Sequence, residues 1–410
     1  ALICAAVPQR PAAELAAVVN ARGRSRIAQG HPWVFAQDVI AGPAADARTG
    51  GPSVVWITDD RGRKVGFGTW AHGARIPVRV LGREGQGGDV PPALLPLAEA
   101  RFRAAHARRD GLRRDRDALR LCHAEGDQLP GLVVDAYGDA LVVQTTSVAM
   151  DAALPALVPA LVAITGARVV FRRDDGSARD FEGLPRVSGL LHGRGSSTVV
   201  YRIGETRLEA DLLTDSKTGG FLDQADNHLA VAALAPNGAR CLDAFAYHGG
   251  FALALARRGG PVLATDESPA AVARITRNAH LNALGNLEAG RANAFDLLRQ
   301  LESERRRFDV VVLDPPAFAK RAANRAAAER AYKEIFLRGL RLAEPGGIVV
   351  CCSCSGQVTR EAFETLVTEA AGDSGRNVAV VARRGAGTDH PELLGVPETG
   401  HLKVWILRAF

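Results

Sequence analysis

Arg240-Cys-Leu-Asp-Ala-Phe-Ala-Tyr-His-Gly-Gly-Phe251 reads as a short buried strand, a glycine turn and the start of a helix, Phe251–Arg258. About 20 residues after Asp243, a second strand-like run, Pro261-Val-Leu-Ala-Thr265, closes on Asp266. A strand, a glycine turn, a helix and a second strand ended by an acid is the sequence form of a nucleoside-cofactor site in an open α/β sheet. Gly249 lets the backbone approach a ligand. Asp266 is placed to accept from both hydroxyls of a ribose. Many α/β proteins have a Gly-Gly turn after a strand, so the rest of the chain must say which nucleoside and which chemistry.

The 410 residues are enough for two or three domains with sizeable cores. Hydrophobic residues make up 47% and charged residues 23%, as in an ordinary globular protein. The net charge of +6 allows an anionic partner without requiring one. Cys4, Cys122, Cys241, Cys351, Cys352 and Cys354 are too few and too scattered for a secreted disulfide framework, so a reducing cytoplasm is expected. No apolar run is expected to reach the roughly 18–20 residues of a membrane helix, and Ala1–Val7 lacks a basic leader.

Two further segments bear on the chemistry. Phe308-Asp-Val-Val-Val-Leu-Asp-Pro-Pro-Ala-Phe-Ala-Lys320 begins with a β-branched run typical of a central parallel strand. That strand delivers Asp314 to the carboxyl edge of the sheet, where ligands bind, and Pro315 and Pro316 extend the turn beyond it. In Gly346-Gly-Ile-Val-Val-Cys-Cys-Ser-Cys-Ser-Gly356, period-2 alternation sends Cys352 and Cys354 to one face and Cys351 to the other. Cys351 and Cys354 match a zinc or redox spacing, but no second ligand pair is visible, and redox pairs open helices rather than continue strands. Cys351 and Cys352 read as small buried residues, and no metal is expected. Cys354, where the strand runs out, shares the edge with Asp314.

Between these lie the helix Pro269–Leu281, a third strand over Asn286–Gly290, and Asn293. The Asn293 amide suits both the adenine edge of a cofactor and the N-cap of a helix over Ala294–Leu301. Asp215-Ser-Lys-Thr-Gly-Gly-Phe-Leu-Asp-Gln-Ala-Asp-Asn-His228 lacks the full phosphate-loop pattern. It precedes a helix ending near Leu234.

In the first third, Arg22, Arg24 and Arg26 precede the aromatic run His31-Pro-Trp-Val-Phe35. Short β-type runs follow over Ser53–Asp59, Val65–Trp70 and Ile76–Leu81, as in a small barrel-like module. The arginines read either as a solvated face or as a phosphate-contacting rim. Pro91–Arg120 reads helical, with eight arginines against three aspartates from Arg101 onward, either solvated or RNA-facing. Next come a strand pair around Leu119–Asp135 and Ala140–Thr145, an apolar helix over Ala152–Thr165, and strands over Ala167–Arg172 and Thr198–Ile203, with Arg173–Gly183 as loop. Glu125, Asp127 and Asp135 read as turn carboxylates rather than a metal set.

His31-Pro-Trp-Val-Phe35, Ala124-Glu-Gly-Asp-Gln-Leu-Pro-Gly131, the Asp215–His228 segment, Asp314-Pro-Pro, Asp389-His-Pro391 and Glu398-Thr-Gly-His-Leu-Lys403 occur in an order that resembles one family. It is that of the bacterial 23S ribosomal RNA cytosine-5 methyltransferases. The likeness covers nearly the whole chain. It implies a PUA-like RNA-binding domain over residues 1–92, a small α/β domain with a basic linker helix over 93–207, and a catalytic domain over 208–410. That last domain is expected to be a Rossmann-like, class I methyltransferase fold with a mostly parallel seven-stranded sheet.

The resemblance also implies the cofactor S-adenosyl-L-methionine, held by Phe221, Gln224, Asp243, Phe245, Tyr247, Gly249, Asp266, Asn293 and Asp314. Cys354 takes the nucleophile's place and Asp314 the acid's, with Arg22, Arg24 and Arg26 on the RNA. The partner is 23S rRNA, free or in a large-subunit particle, with no membrane; a homodimer is compatible. Two arginines usual in the family's Asp215–His228 motif are Ala225 and His228 here. Some relatives carry a second cysteine where this chain has Pro316, so the base that removes the carbon-5 proton is not identified.

The implied chemistry is covalent. Carbon 5 of a pyrimidine is a poor nucleophile until a thiolate adds to carbon 6, and an acid at N3 stabilises the charge that develops. The base must be unpaired or flipped to reach such a pocket. Methylation of an exocyclic amine on adenine or guanine is the nearest rival, but it expects an aromatic directly after Asp-Pro-Pro, where Ala317 stands. A nicotinamide oxidoreductase expects a tighter G-x-G-x-x-G. A non-catalytic RNA-binding or ribosome-assembly protein would not need the thiol and acid together.

Overall fold

The computed structural model describes residues 16–43, 54–86, 88, 90–318 and 324–410. Readings placed on 1–15, Ser53, Ala319 and Lys320 lie outside them.

The deciding stretch folds as expected. Cys241–Asp243 is a strand, Gly249 takes the left-handed conformation at φ +88°, and Gly250–Ala256 is the helix. Val262–Asp266 pairs parallel to the first strand. Around this unit a seven-stranded sheet runs in the order Leu287–Arg291, Val262–Asp266, Cys241–Asp243, Phe308–Leu313, Ala343–Ser353, Lys403–Ala409, Val378–Arg384. By position in the chain that is 3-2-1-4-5-7-6, and only Lys403–Ala409 runs against the direction of the other six strands. The order reverses between Cys241–Asp243 and Phe308–Leu313, which opens a crevice at their carboxyl ends.

Alternation along the strands builds two cores. One face gathers Cys241, Val310, Val312, Val350, Cys352 and Ile406 beneath Phe251 and Ile275 of the flanking helices. The other gathers Leu242, Val311, Leu313, Val349, Cys351 and Leu407 beneath Leu298, Tyr332, Phe336 and Phe363. Cys351 and Cys354 therefore belong to opposite faces, as period 2 requires.

The N-terminal domain is a six-stranded sheet ordered Trp33–Val34, Val78–Arg83, Lys64–Trp70, Val54–Asp59, Ala16–Val19, Val39–Ala41. Arg22, Arg24 and Arg26 stand on a helix, Ala21–Ala28, capped by Asn20, rather than on a basic lead-in to a strand.

The central domain carries a five-stranded sheet, Val187–Gly193, Val169–Asp174, Ala140–Thr145, Leu132–Tyr137, Ala118–His123, with the helices Leu94–Arg108 and Val148–Thr165. Three expectations need correction here. The basic helix stops at Arg108, because Asp110–Arg114 is a 3-10 turn and Arg120 lies in a strand. Asp135 is also in a strand, not a turn. Finally, Val148–Thr165 is long and apolar enough, by length and composition, to cross a membrane. Its face Ala149, Met150, Ala153, Leu154, Leu157, Val158 and Leu161 is instead buried in the domain's core.

Thr198–Ile203 and Thr206–Asp211 form a separate hairpin. It leans on the catalytic helix Pro269–Leu281 through Glu209 N–H, which donates to Asn278 at 2.8 Å. The boundary drawn at residue 207 thus runs through one arm of this hairpin.

Candidate active site

A cavity of about 560 Å³ opens at the carboxyl edge of the seven-stranded sheet. Phe221, Gln224, Phe245, Tyr247, Asp266, Asn293, Asp314 and Cys354 all line it, brought together from six separate stretches of sequence. Asp243 and Gly249 do not. Asp243 sits behind the wall, 1% exposed, and accepts from Ala252 N–H at 3.1 Å, so it braces the glycine turn instead. Gly249 makes that turn's left-handed bend.

Asp266 holds the turn from the other side. Its carboxylate accepts from Tyr247 N–H at 3.0 Å and from Ser268 N–H at 2.9 Å. A carboxylate oxygen has more than one lone pair, so both oxygens still have acceptor capacity facing the cavity. Tyr247 takes a left-handed φ of 49°. Its ring stacks on His248 at 3.7 Å and meets the edge of Phe221 at 4.8 Å. Asn293 caps the helix Ala294–Ser303, accepting from Phe295 N–H at 3.1 Å, and is exposed at the cavity rim.

His228, noted in the sequence only as a replaced arginine, also lines the cavity. A Cβ on Gly250 would come within 2.3 Å of its ring, so glycine is what admits the imidazole there. The ring meets Phe251 edge-on at 4.5 Å. Burial lowers its pKa to about 4, which leaves it neutral at pH 7.

At the reactive end, burial and the Asp223 carboxylate push Asp314 up to about 7, against the opposing pull of its hydrogen bond from Gln224. Burial likewise raises Asp223, but Lys217 and His401 outweigh it and hold that carboxyl well below its usual range. Lys217 donates to Asp223 at 2.7 Å. The Cys354 thiol is pushed up by burial and by Asp314, and drawn down by Lys217. A carboxyl pushed up to about 7 and a thiol therefore line the same cavity.

The arginines proposed for RNA are engaged within their own domain. Arg22 and Arg26 pair with the buried Asp38 at 3.5 and 3.3 Å, and Arg24 with Asp59 at 3.7 Å. Of the later basic run, Arg109 and Arg116 are each 3% exposed and bind Asp127 and Asp226. Arg120 pairs with Asp135. Carboxylates elsewhere in the chain pair with these cations, while the Arg22 and Arg24 side chains stay 61% and 47% exposed.

Comparison with known proteins points the same way. The family model described as a PUA-like domain matches residues 17–83. One described as Conserved hypothetical protein 95 matches residues 227–382. The crystal structure of SMU.776 complexed with SAH matches with a TM-score of 0.79 at 16% identity, covering 96% of this chain and 100% of that one. Fold and domain order define the class: an α/β methyltransferase fold with an N-terminal PUA-like domain and a mostly parallel Rossmann-like sheet.

Two relatives make the family specific. Ribosomal RNA large subunit methyltransferase I of Aeromonas salmonicida (strain A449) is 33% identical over 401 residues, covering 96% of this chain and 98% of that protein. The protein of the same name from Shewanella amazonensis is 34% identical over 387 residues, covering 93% and 96%. The chain belongs to the ribosomal RNA large subunit methyltransferase I family.

Proposed function

We propose that this chain methylates carbon 5 of a cytosine in large-subunit ribosomal RNA, using S-adenosylmethionine and a covalent adduct at Cys354. The observation that carries the reading is the meeting of Cys354 and Asp314 in the lining of a cavity that Asp266 also lines.

The residues present suit the cofactor. Asp266 has acceptor capacity for a ribose diol, Asn293 offers an amide at the rim, and Gly250 leaves room for the His228 ring in the cavity wall. Phe221 and Gln224 would flank the methionine end. When bound, S-adenosylmethionine supplies an electrophilic methyl group.

The chain's own residues do the rest. Cys354 Sγ adds to carbon 6 of the ring, which makes carbon 5 nucleophilic. A protonated Asp314 donates to N3 and stabilises the charge that develops there. Its pKa near 7 makes the neutral carboxyl available at physiological pH. After carbon 5 is methylated, loss of its proton restores the ring and expels the thiol.

The test is direct. Ribosomal RNA from an undermethylated source is incubated with the protein and labelled S-adenosylmethionine, and the modified nucleoside is identified by mass spectrometry. Label in 5-methylcytidine supports the proposal, whereas label in N6-methyladenosine or N2-methylguanosine overturns it.

A further inference from the structure

Lys403 opens the antiparallel strand Lys403–Ala409 and lies opposite Ser353 in its pairing with Ala343–Ser353. It is 4% exposed. Burying a cation costs several kcal/mol unless other groups compensate. Here Nζ donates to two backbone carbonyls, Ser355 at 2.7 Å and Val358 at 2.9 Å. These are the first and last residues of the turn that follows Cys354, and that turn closes when Val358 N–H donates to Ser355 at 3.3 Å. Among the described residues, no carboxylate lies within ion-pair distance of this ammonium. A neutral donor could close the same turn at lower desolvation cost, so the charge itself calls for a reason.

We propose that Lys403 is a positioning residue for the Cys354 thiol, clasping the turn that aims Sγ into the cavity and, while protonated, favouring the thiolate. The inference rests on the covalent role of Cys354. Burial lowers Lys403 to about 8, the Cys354 charge raises it again, and Arg360 pushes it down. The other groups facing Cys354 are Asp314 and Asp223, which disfavour its thiolate, Lys217, which favours it, and the Tyr332 phenol. Lys217 is already paired with Asp223 and its side chain is 35% exposed, so solvent and a carboxylate weaken its field. Lys403 acts from the sheet side, where neither does.

The test is alkylation of Cys354 by iodoacetamide as a function of pH, read by peptide mass spectrometry on the full chain without RNA or cofactor. Cys122, Cys241, Cys351 and Cys352 are buried, which favours the signal from Cys354. In Lys403→Gln alkylation below about pH 8, where the wild-type ammonium is charged, should slow, and a rise of one unit in the thiol's effective pKa slows it about tenfold. Lys403→Arg keeps a permanent charge, so its midpoint should match or fall below the wild-type value. An unchanged profile in Lys403→Gln overturns the proposal. If that variant does not fold, Lys403→Arg decides, because a midpoint above wild type has the same consequence. Methyl transfer by Cys354→Ala is a separate assay, whose persistence would remove the covalent role and leave the alkylation result standing.

Discussion

Gln224 donates its amide to the Asp314 carboxylate at 3.0 Å across 90 residues of chain. The amide's orientation is not free, because Asn227 donates to Gln224 Oε1 at 2.7 Å and itself accepts from Arg384 at 2.7 Å. A line of hydrogen bonds thus runs from the last parallel strand to the acid at the centre of the cavity, and it turns the Gln224 N–H toward Asp314.

Gln224→Leu should therefore move the pH dependence in a stated direction. The Gln224 hydrogen bond favours the ionised carboxyl, so its loss raises Asp314 above its present value of about 7. The reactive form is the protonated one, and activity falls as pH rises through that pKa. The alkaline limb of the rate profile should shift to higher pH. Looser placement of the acid should lower kcat near pH 7 by about tenfold. A limb that stays in place or moves to lower pH would contradict the role given to Asp314.

Asp243 shows the same physics in stability. Burial and the nearby Asp314 carboxylate push it up to about 8, and one of its oxygens has no hydrogen-bond partner. A carboxyl raised above its unfolded value contributes stability that is fully present below about pH 4 and is lost as pH rises through 8. In Asp243→Asn the amide oxygen can still accept from Ala252 N–H, and nothing ionises. The drop in melting temperature between pH 5 and pH 8 should narrow in this variant. It should not vanish, since Asp314 titrates with the same sign. An unchanged drop would mean that Asp243 is ionised in the folded protein.

Much of the fold was legible because its signals are local. The glycine turn, the acid ending Val262–Asp266 and the β-branched Phe308–Leu313 each specify a backbone element within a few residues. The helix Pro269–Leu281 lies where the sequence placed it, and Ser268 caps it. Roles that depend on distant partners were not legible. Asp243 carries the residue type and position of a ligand contact, yet the strand's pleat turns it into the core. Arg109 looks solvated until Asp127 is seen beneath it. Lys403 begins a mostly apolar strand, and its burial is explained by the turn carbonyls at Ser355 and Val358.

The two cysteines on the same strand face separate chemistry from packing. Cys354 lines the cavity, whereas Cys352, one repeat deeper, is fully buried with its thiol pushed well above the usual range by burial. Cys354→Ala should abolish methyl transfer and leave S-adenosylmethionine affinity within about twofold, because binding the cofactor does not need the thiol. Cys352→Ala should keep transfer and lose about 1 kcal/mol of stability from the small cavity it leaves. Activity in the first variant, or its absence in a folded second, would exchange their assignments.

The segment between the last two strands of the catalytic sheet ties three domains together, and Asp389 is its anchor. Asp389 is fully buried, accepts from Arg120 N–H of the central sheet at 2.8 Å, and bonds His390 Nδ1 at 2.8 Å. Its carbonyl accepts from Arg109 at 2.8 Å. A few residues on, Glu398 reaches His31 of the N-terminal domain at 3.7 Å, and His401 returns to Asp223 beside the cavity at 3.1 Å. Asp389→Ala leaves the Arg120 N–H without its acceptor and the cationic surroundings uncompensated, a loss of about 2–3 kcal/mol. The catalytic sheet itself keeps its core, so the loss should fall on coupling between domains. Calorimetry should then show the unfolding endotherm broaden or split, with the lower transition belonging to the N-terminal and central domains. Asp389→Asn, which retains an acceptor for Arg120, should show a smaller change in the same sense. A single sharp transition that merely moves to lower temperature in both variants would mean that the segment stabilises the catalytic domain alone.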